Sequence, residues 1–313
     1  MRLLVITARY PTPDRPAAGS FVRDRLGGPE VEAVIIAPLS YASAGWRRYP
    51  GLLMRALTRR GRFDGVEGHF ILPSGPIALL AARLRRLPLV VYAHGGDVRE
   101  LARRNRWLRW AARITIRGAD AVVTNSAETA RLVSELGAAA AVIPPGVELR
   151  RFAPQPLPAV RRVLYLGGNA PGKGVEVARR LADTLVGPGI REVDPSEVPA
   201  LMASHSAVLV PSRAESFGLA AAEAIASGRW VVASAVGGLV DIVTDGVNGT
   251  LVRDGDFAGA LERIPAYDPA LVASTASGFS IEEHRRRMAE VWSSVLARRD
   301  LSPADGSSRS RRR

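Results

Sequence analysis

Short apolar runs rich in Val and Ile alternate with amphipathic stretches along most of the chain. Between the runs lie segments with helical spacing, such as PIALLAARLRR and SAETARLVSELG, the latter with Ser126 as a candidate N-cap. Continuous apolar strands are typical of parallel sheets covered by helices on both faces. The pattern therefore predicts a doubly wound α/β domain in the first half. The runs there are RLLVIT, VEAVIIA, GVEGHF, LPLVVYAH, DAVVTNS and AAVIPPG.

A proline-rich stretch, PPGVELRRFAPQPLPAVRR, interrupts this pattern before it restarts with VLYLGG, SAVLVPS, RWVVAS and GTLVRD. We place a domain junction there, with a Rossmann-like N-terminal domain over residues 1–154 and a shortened Rossmann-like C-terminal domain over residues 155–280. A helix over residues 281–300 is expected to cross back to the first domain, and the basic tail, residues 301–313, to be disordered. Two such domains leave a cleft between the carboxyl ends of their strands, where ligands bind.

Composition narrows the class of protein. Apolar residues make up 47% of the chain, yet no run approaches the roughly 20 apolar residues of a membrane helix. The apolar start of MRLLVITARYP is too short for a signal-peptide core. The absence of Cys excludes a disulfide scaffold, and the four His show no paired metal-ligand spacing. A soluble cytoplasmic protein is the expectation.

The net charge of +13 is concentrated in the first 150 residues, where 23 Arg face 12 acidic residues. This excess suggests an anionic partner: a phospholipid surface, an anionic acceptor or nucleic acid. Ordinary solvated arginines are the alternative. GWRRYPGLLMRALTRRGRF and RELARRNRWLRWAARITIRG mix Arg with Trp and aliphatic residues, as interfacial helices do. In the other interpretation, Trp107 and Trp110 pack in the core.

The only lysine of the chain, Lys173, stands in the glycine-rich loop LGGNAPGKG. The loop follows the apolar strand VLYLG and precedes a predicted helix, VEVARRLADTL. A strand, a glycine loop and a helix start form an anion site, because backbone amides and the helix dipole favour negative charge. The spacing is not that of a P-loop, so a plain tight turn remains the alternative.

Two glutamates mark the segment PSRAESFGLAAAEAIASG, which follows the strand AVLV. Glu215 lies in the strand-end loop, and Glu223 lies in an Ala-rich helix predicted from Phe217 onward. A carboxylate on so apolar a helix is costly unless it faces the cleft with a partner. The alternative is an exposed helix Glu and a loop Glu. The amides from Ser216 to Leu219, which include those of Phe217 and Gly218, form a second candidate phosphate site.

These segments, taken in order, resemble the retaining, nucleotide-sugar-dependent glycosyltransferases of GT-B fold, specifically family four. Pro211–Gly228 is similar to the family's E-x7-E region, and VLYLGGNAPGKG to its v-x-G-R-L-x-x-x-K-G loop. AHGGDV resembles its H-G-x-D segment, and VIPPGVELRRF resembles its interdomain linker. ARYPTPDRPAAGSFVRDRL is similar to its first glycine loop, and VGGLVDIVTDGVNGTLV to its GG-x-x-E run. The resemblance implies a GT-B fold, in which two Rossmann-like, doubly wound domains face a central cleft.

The resemblance also implies roles for single residues. Lys173 would hold the diphosphate of the donor, where a compact ammonium group fits differently from an arginine fork. Glu215 would bond hydroxyls of the donor sugar, and Glu223 would bond the ribose. His94 would sit beside the donor sugar, and Gly19 would let backbone amides reach the phosphate. His94, Glu215 and Lys173 are thus the candidate catalytic residues.

The implied reaction is sugar transfer with the anomeric configuration retained. No second carboxylate stands out as a nucleophile, so we expect the leaving diphosphate to take the proton of the acceptor hydroxyl. No metal and no cofactor besides the nucleotide sugar are expected. The acceptor would be a glycan, a lipid or a small molecule. Some family members dock to the inner face of the cell membrane, so peripheral attachment there is a further expectation.

The sequence departs from the family pattern in two places. Gly168 stands where the family has an Arg, and Arg213 is the nearest substitute along the chain. Residues 175–205 are shortened where the family shapes its base pocket, which leaves the base open. These departures favour the alternative of a GT-B-like binding protein or degenerate partner subunit with little catalysis. A nucleic-acid-binding protein is a third interpretation, supported by charge alone, because no aromatic-interleaved RNA motif occurs.

Overall fold

The computed structural model describes residues 1–15, 18–26, 31–42, 45–103 and 105–300. The tail expected to be disordered lies outside these residues. Strands in each half of the described chain pair in parallel to form a separate sheet. The strands of the first sheet are β1 (Arg2–Thr7), β2 (Glu32–Ile36), β3 (Gly65–His69), β4 (Leu89–Ala93), β5 (Ala121–Thr124) and β6 (Ala141–Val142), in the spatial order β2-β1-β3-β4-β5-β6.

Helices connect these strands, as the alternating pattern predicted. Ser126 caps one of them, since its side chain accepts a hydrogen bond from the Thr129 amide at 3.3 Å. The helices of this half are α1 (Ser20–Arg25), α2 (Tyr49–Thr58), α3 (Ser74–Arg85), α4 (Gly96–Arg99), α5 (Arg106–Gly118) and α6 (Ala127–Ser134), with 3-10 turns at Gly45–Arg48 and Glu100–Arg103.

The second sheet has the order β11-β10-β9-β7-β8. Its strands are β7 (Val163–Tyr165), β8 (Thr184–Leu185), β9 (Ala207–Val210), β10 (Trp230–Ser234) and β11 (Gly249–Val252). The helices of this half are α7 (Val175–Leu181), α8 (Val198–Ala203), α9 (Leu219–Ala226), α10 (Leu239–Ile242), α11 (Phe257–Glu262), α12 (Pro269–Ser274) and α13 (Ile281–Asp300), with 3-10 turns at Pro195–Glu197 and Ser277–Phe279.

Two helix predictions in this half are corrected. The helix expected over VEVARRLADTL ends at Leu181, because Asp183 turns the chain into the edge strand β8 and accepts the Val163 amide at 2.7 Å. The helix expected from Phe217 begins at Leu219 instead, since Gly218 at its N-cap has a φ of 102°.

Side chains of the first sheet alternate between two cores, as the period of a strand requires. Leu4 of β1 faces the core that α2 and α3 cover, whereas Leu3 faces a second core on the opposite side. Trp292 of α13 is 1% exposed and lies in that second core. The C-terminal helix therefore returns across the chain junction and packs on the first sheet.

The sheet order positions the ligand cleft. In the second sheet, the chain leaves β7 toward β8 on one side and leaves β9 toward β10 on the other. The loops after β7 and β9 therefore diverge at a topological switch point, where open α/β sheets bind ligands. These are the loops that carry Lys173 and Glu215. Among the described helices, none combines the length and apolarity needed to cross a membrane.

Candidate active site

A cavity of about 490 Å³ lies between the two sheets and gathers residues from both halves of the chain. Lys173, Glu215, Leu219 and Glu223 line it from the second half, and Phe21 of α1 lines it from the first. Its size falls in the range of roughly 300–1,000 Å³ typical of small-molecule sites. The loop lysine and the two glutamates, which lie on separate segments of the chain, thus meet at one place.

Lys173 and Glu215 form an ion pair inside this cavity. The Lys173 Nζ lies 2.6 Å from the Glu215 Oε2, and the side chains are 34% and 13% exposed. The amide of Ser216 donates to Glu215 Oε1 at 3.2 Å, and the Ser212 hydroxyl donates to Oε2 at 3.3 Å. The carboxylate is therefore held beside the ammonium group, and the pair can exchange for contacts to a charged ligand.

Tyr165, which the sequence patterns did not single out, contacts the backbone of the glycine loop. Its side chain is 1% exposed, and its hydroxyl lies 2.8 Å from the carbonyl of Gly168 and 3.2 Å from that of Lys173. Burial is the main cause that raises the pKa of Tyr165 to about 12. The hydroxyl therefore stays protonated and can donate to the loop carbonyls.

Gly168 cannot be replaced by the family's arginine without strain in this chain. Its φ is 66°, and a Cβ there would lie 2.8 Å from the carbonyl oxygen of Pro188. Pro188 follows β8, in the segment that the sequence analysis expects to be shortened. A Gly168→Arg variant would therefore report backbone strain as well as added charge.

Arg213 does not lie in the cavity. Its guanidinium pairs with Glu176 at 2.6 Å, and its side chain is 76% exposed. The sequence prediction that Arg213 replaces the missing arginine therefore finds no support in this conformation.

Two helices of the second half begin with backbone amides that no side chain caps, and the start of one of them, α9, lines the cavity. Gly174 precedes α7 and Gly218 precedes α9, and neither N-cap residue supplies a capping side chain. The first amides of a helix have no intrahelical partner, so they are available to an anion. Phe217 contributes its backbone alone, because its ring is 3% exposed and lies in the core.

Glu223 lines the cavity one turn into α9, and no described residue donates a hydrogen bond to its carboxylate. Burial is the main cause that raises the pKa of Glu223 to about 7, from 4.5. A partly buried acceptor of this kind is suited to the hydroxyls of a ligand, which would favour its ionised form.

We expect Glu223→Gln to change how stability depends on pH. The pKa of Glu223 is higher in the folded state than in the unfolded state. Ionisation of this group therefore lowers the free energy of unfolding as the pH rises from 4.5 through about 7. The loss is up to about 3 kcal/mol. Glutamine does not ionise and escapes this loss. In urea unfolding, the free energy of unfolding of the variant relative to the wild type should therefore increase by up to this amount between pH 5 and pH 8. Other titrating groups are common to both proteins and cancel. A difference independent of pH would contradict this role of burial.

His94 stands on the opposite wall, directly after β4. It is 8% exposed, and its ring centroid lies 5.1 Å from that of Phe21, which lines the cavity. Asp97 orients the loop, since its carboxylate accepts the amides of Ile71 at 2.6 Å and His94 at 3.0 Å. Gly19 lies at the N-cap of α1, two residues before Phe21. His94 and Gly19 thus lie next to Phe21 but are not among the described residues that line the cavity, so their contact with a donor stays a prediction.

Arg99 links the two walls, and the sequence patterns did not reveal it. Its guanidinium donates to the Glu215 carbonyl at 2.7 Å and to the Ser216 hydroxyl at 3.3 Å. A Cβ on Gly95 would lie 2.6 Å from that hydroxyl oxygen, so a side chain at 95 would prevent the approach. The repeated glycine in AHGGDV was the available signal for this contact.

Both halves of the chain match sequence models of glycosyltransferases. The sequence model of Glycosyltransferase Family 4 matches residues 2–151, and the model described as Glycosyl transferases group 1 matches residues 149–265. A D-inositol 3-phosphate glycosyltransferase of Actinosynnema mirum is 32% identical, over 83% of this chain and 81% of that protein. One from Acidothermus cellulolyticus is 30% identical, over 86% and 73%. The chain spans 64% of the length of one from Geodermatophilus obscurus, to which it is 33% identical over 71% of its own length.

Solved structures share the fold at low sequence identity. Anabaena Alr3699/HepE, solved in complex with UDP, matches 94% of this chain and all of that chain with a TM-score of 0.71 and 16% identity. A sucrose-phosphate synthase from Thermosynechococcus elongatus matches 95% and 99% with a TM-score of 0.71 and 20% identity. Together with the two parallel sheets, these likenesses identify a two-domain α/β GT-B fold.

Proposed function

The chain belongs to glycosyltransferase family 4, and we propose that it moves a sugar from a nucleoside-diphosphate sugar to an acceptor hydroxyl with retention of the anomeric configuration. The observation that carries this proposal is the cavity in which Lys173, Glu215 and Glu223 meet beneath the uncapped start of α9. An ammonium group and free helix amides suit a diphosphate, while carboxylates suit sugar hydroxyls.

The proposed donor contacts follow from this arrangement. Lys173 and the amides at the starts of α7 and α9 hold the diphosphate, and Glu215 accepts hydrogen bonds from the donor sugar. Glu223 accepts hydrogen bonds from the ribose. Uridine is the first base to test, because Alr3699/HepE was solved with UDP and with UDP-glucose.

In the proposed reaction, the bond between the anomeric carbon and the diphosphate oxygen breaks as the acceptor oxygen bonds to the same face of that carbon. The acceptor proton passes to the diphosphate oxygen that leaves. The chain contributes positive potential to the leaving group through Lys173 and the helix amides, which is the kind of stabilisation that lowers such barriers.

The test is a panel of UDP-, GDP- and ADP-sugars, scored by thermal stabilisation and then by release of the nucleoside diphosphate. Acceptors should include an inositol phosphate, since the relatives' names carry it, and lipid-linked sugars. Stabilisation by one nucleotide class and turnover with a matched acceptor are expected. Stabilisation without turnover on any acceptor would favour the binding protein with little catalysis, the alternative that Gly168 supports.

We also propose that the N-terminal half binds anionic membrane surfaces through α5. Trp107 and Trp110 are 65% and 60% exposed, so the interpretation in which they pack in the core is wrong. Ile114 continues the same helix face at 40% exposure. Arginines at 106, 109 and 113 lie on the same exposed helix. Exposed aromatic and basic residues on one helix are typical of interfacial binding. In the segment around α2 the support is weaker, because Leu52 is fully buried.

Co-sedimentation with phosphatidylcholine vesicles, with and without phosphatidylglycerol, tests the membrane proposal in protein that lacks residues 301–313. Binding to the anionic vesicles alone, reversed by salt, is expected, since each basic residue near such a surface contributes about 1 kcal/mol. The double variant Trp107→Ser, Trp110→Ser should lose it. Leu271→Ser is the matched control, because Leu271 is 68% exposed in the other half of the chain. Equal, negligible binding to both vesicles would rule the proposal out.

A further inference from the structure

We infer that Glu67 and His69 are positioning residues that fix the proton of His94 on Nε2 and leave its Nδ1 as a hydrogen-bond acceptor. The three side chains form a buried row that runs from α13 to the wall of the cleft. The role given to His94 rests on the proposed function, whereas the placement of the proton can be measured without any turnover.

The three side chains of the row lie within contact distance of one another and are buried. The His69 Nδ1 lies 3.1 Å from the His94 Nε2, and the His69 Nε2 lies 2.9 Å from the Glu67 Oε1 in a short but bent contact. Glu67, His69 and His94 are 4%, 1% and 8% exposed. The other oxygen of Glu67 accepts the indole N–H of Trp292 at 3.0 Å. Helix α13 thus anchors one end of the row, and the cleft lies at the other.

The direction of the protons follows from the acid at the buried end. Burial alone would raise the pKa of Glu67, but its contacts with His69 and Trp292 lower it, so it is a carboxylate and can only accept. A neutral His69 must then carry its proton on Nε2, toward Glu67. Its Nδ1 is left with a lone pair, so His94 must donate to it through Nε2–H.

His94 itself is neutral in this setting. Burial is the main cause that lowers its pKa, and positive charge from Arg25 of α1 and from Arg9 lowers it further, as do His69 and His284 of α13. A neutral imidazole has one proton, and that proton is on Nε2, so Nδ1 is bare. No described residue forms a hydrogen bond with Nδ1. It is thus available to accept from a hydroxyl of the bound substrates.

The competing arrangement is a doubly protonated His69. It would donate to both neighbours, and His94 would then carry its proton on Nδ1 and present a donor to the cleft. The two arrangements differ in one observable, the protonated nitrogen of His94, which decides between them.

Nitrogen-15 NMR of histidine-labelled whole protein at pH 7.5 reads this observable directly. The chain has four histidines, and two of them are internal references. His205 and His284 each place Nδ1 against a carbonyl oxygen, Leu201 at 2.7 Å and Pro144 at 2.8 Å, so both must carry their proton on Nδ1. We expect two rings protonated on Nδ1 and two, those of His69 and His94, protonated on Nε2. The variants His94→Gln and His69→Gln assign the signals.

Glu67→Gln tests the cause. The amide that replaces the carboxylate can donate as well as accept, so the His94 signal should leave the pure Nε2–H form, while those of His205 and His284 stay unchanged. Trp292→Phe is the control, because it removes a neighbour of Glu67 but keeps the carboxylate, and the His94 signal should remain. In turnover, Glu67→Gln should lower kcat by about 10- to 100-fold with nucleotide binding unchanged, as loss of an imidazole's positioning partner does elsewhere.

A His94 protonated on Nδ1 in the wild type, or a Glu67→Gln variant with unchanged histidine signals, would overturn the inference. If the expected tautomers are found in a protein that turns over no nucleotide sugar, the inferred proton positions of His69 and His94 are correct and the proposed function is wrong. The two outcomes are therefore distinguishable.

Discussion

Lys173→Ala is expected to lower kcat/KM for the donor by about 10- to 150-fold, the equivalent of a charge-assisted phosphate contact of roughly 1.5–3 kcal/mol. Lys173 is 34% exposed in a glycine loop, so its loss leaves the core intact. The variant also removes the ammonium group that lies 2.6 Å from the Glu215 carboxylate. The unpaired carboxylate would then repel the diphosphate of the donor. Steady-state kinetics and calorimetry with the free nucleoside diphosphate should both show the loss.

Arg213→Ala is the matched control for this substitution. Arg213 is also a cation in a strand-end loop of the second half, but it pairs with Glu176 on the exposed surface. Near-wild-type kinetics are expected. An Arg213 variant as impaired as Lys173→Ala would mean that the loop rearranges to bring the guanidinium to the donor, as the sequence first suggested.

Glu215→Gln is expected to lower kcat by about two orders of magnitude, while binding of the free nucleoside diphosphate stays equal or tightens. The carboxylate is 13% exposed and held by Lys173 and the Ser216 amide, so its acceptors are aimed before the donor arrives. Hydrogen bonds from hydroxyls to an ionised acceptor are worth about twice those to a neutral one. Removing the charge also removes repulsion of the diphosphate.

The double variant Lys173→Ala, Glu215→Gln sharpens this expectation. Because the two groups touch, their effects on kcat should be less than additive. Glu176→Gln serves as the control, since Glu176 is 53% exposed. Strictly additive effects of the pair on kcat would show that Lys173 and Glu215 act on separate parts of the reaction.

The meeting of Lys173, Glu215 and Glu223 at one cavity was predictable because its signals are local. The glycine loop with Lys173 and the run from Glu215 to Glu223 each lie within about twenty residues, between a strand and a helix whose patterns are plain. Parallel strands bring their carboxyl ends to one edge, so two strand-end loops in one sheet were bound to meet. The alternation of strand and helix predicted the doubly wound α/β domains, and the family resemblance implied the GT-B fold, which is confirmed.

The buried row behind His94 was not predictable in this way. Glu67 and His69 read as two polar positions in a short strand, and Trp292, the partner of Glu67, lies 225 positions after it on α13. Only the pairing of β3 beside β4 and the return of α13 bring these groups together. Arg99 was hidden for the same reason, because its contacts with Glu215 and Ser216 join the two halves of the chain.

The edge of the second sheet shows where local patterns mislead. VEVARRLADTL has helical spacing throughout, yet the chain turns at Asp183, whose carboxylate binds the amide of Val163 on the neighbouring strand. With this contact, β8 pairs with β7 at the edge of the sheet. The segment that follows β8 then places Pro188 next to Gly168. The segment after β8 therefore packs against the glycine loop at Gly168.

The anomeric configuration of the first product tests the central claim most directly. The donor chosen by thermal stabilisation, an α-linked nucleotide sugar, is incubated with the protein without an acceptor, so that water takes the sugar slowly. Proton NMR then records which anomer is released before mutarotation. The account predicts the α-anomer, together with free nucleoside diphosphate, and a release that is about 10- to 150-fold slower in Lys173→Ala. Initial release of the β-anomer would contradict transfer with retention at this cleft.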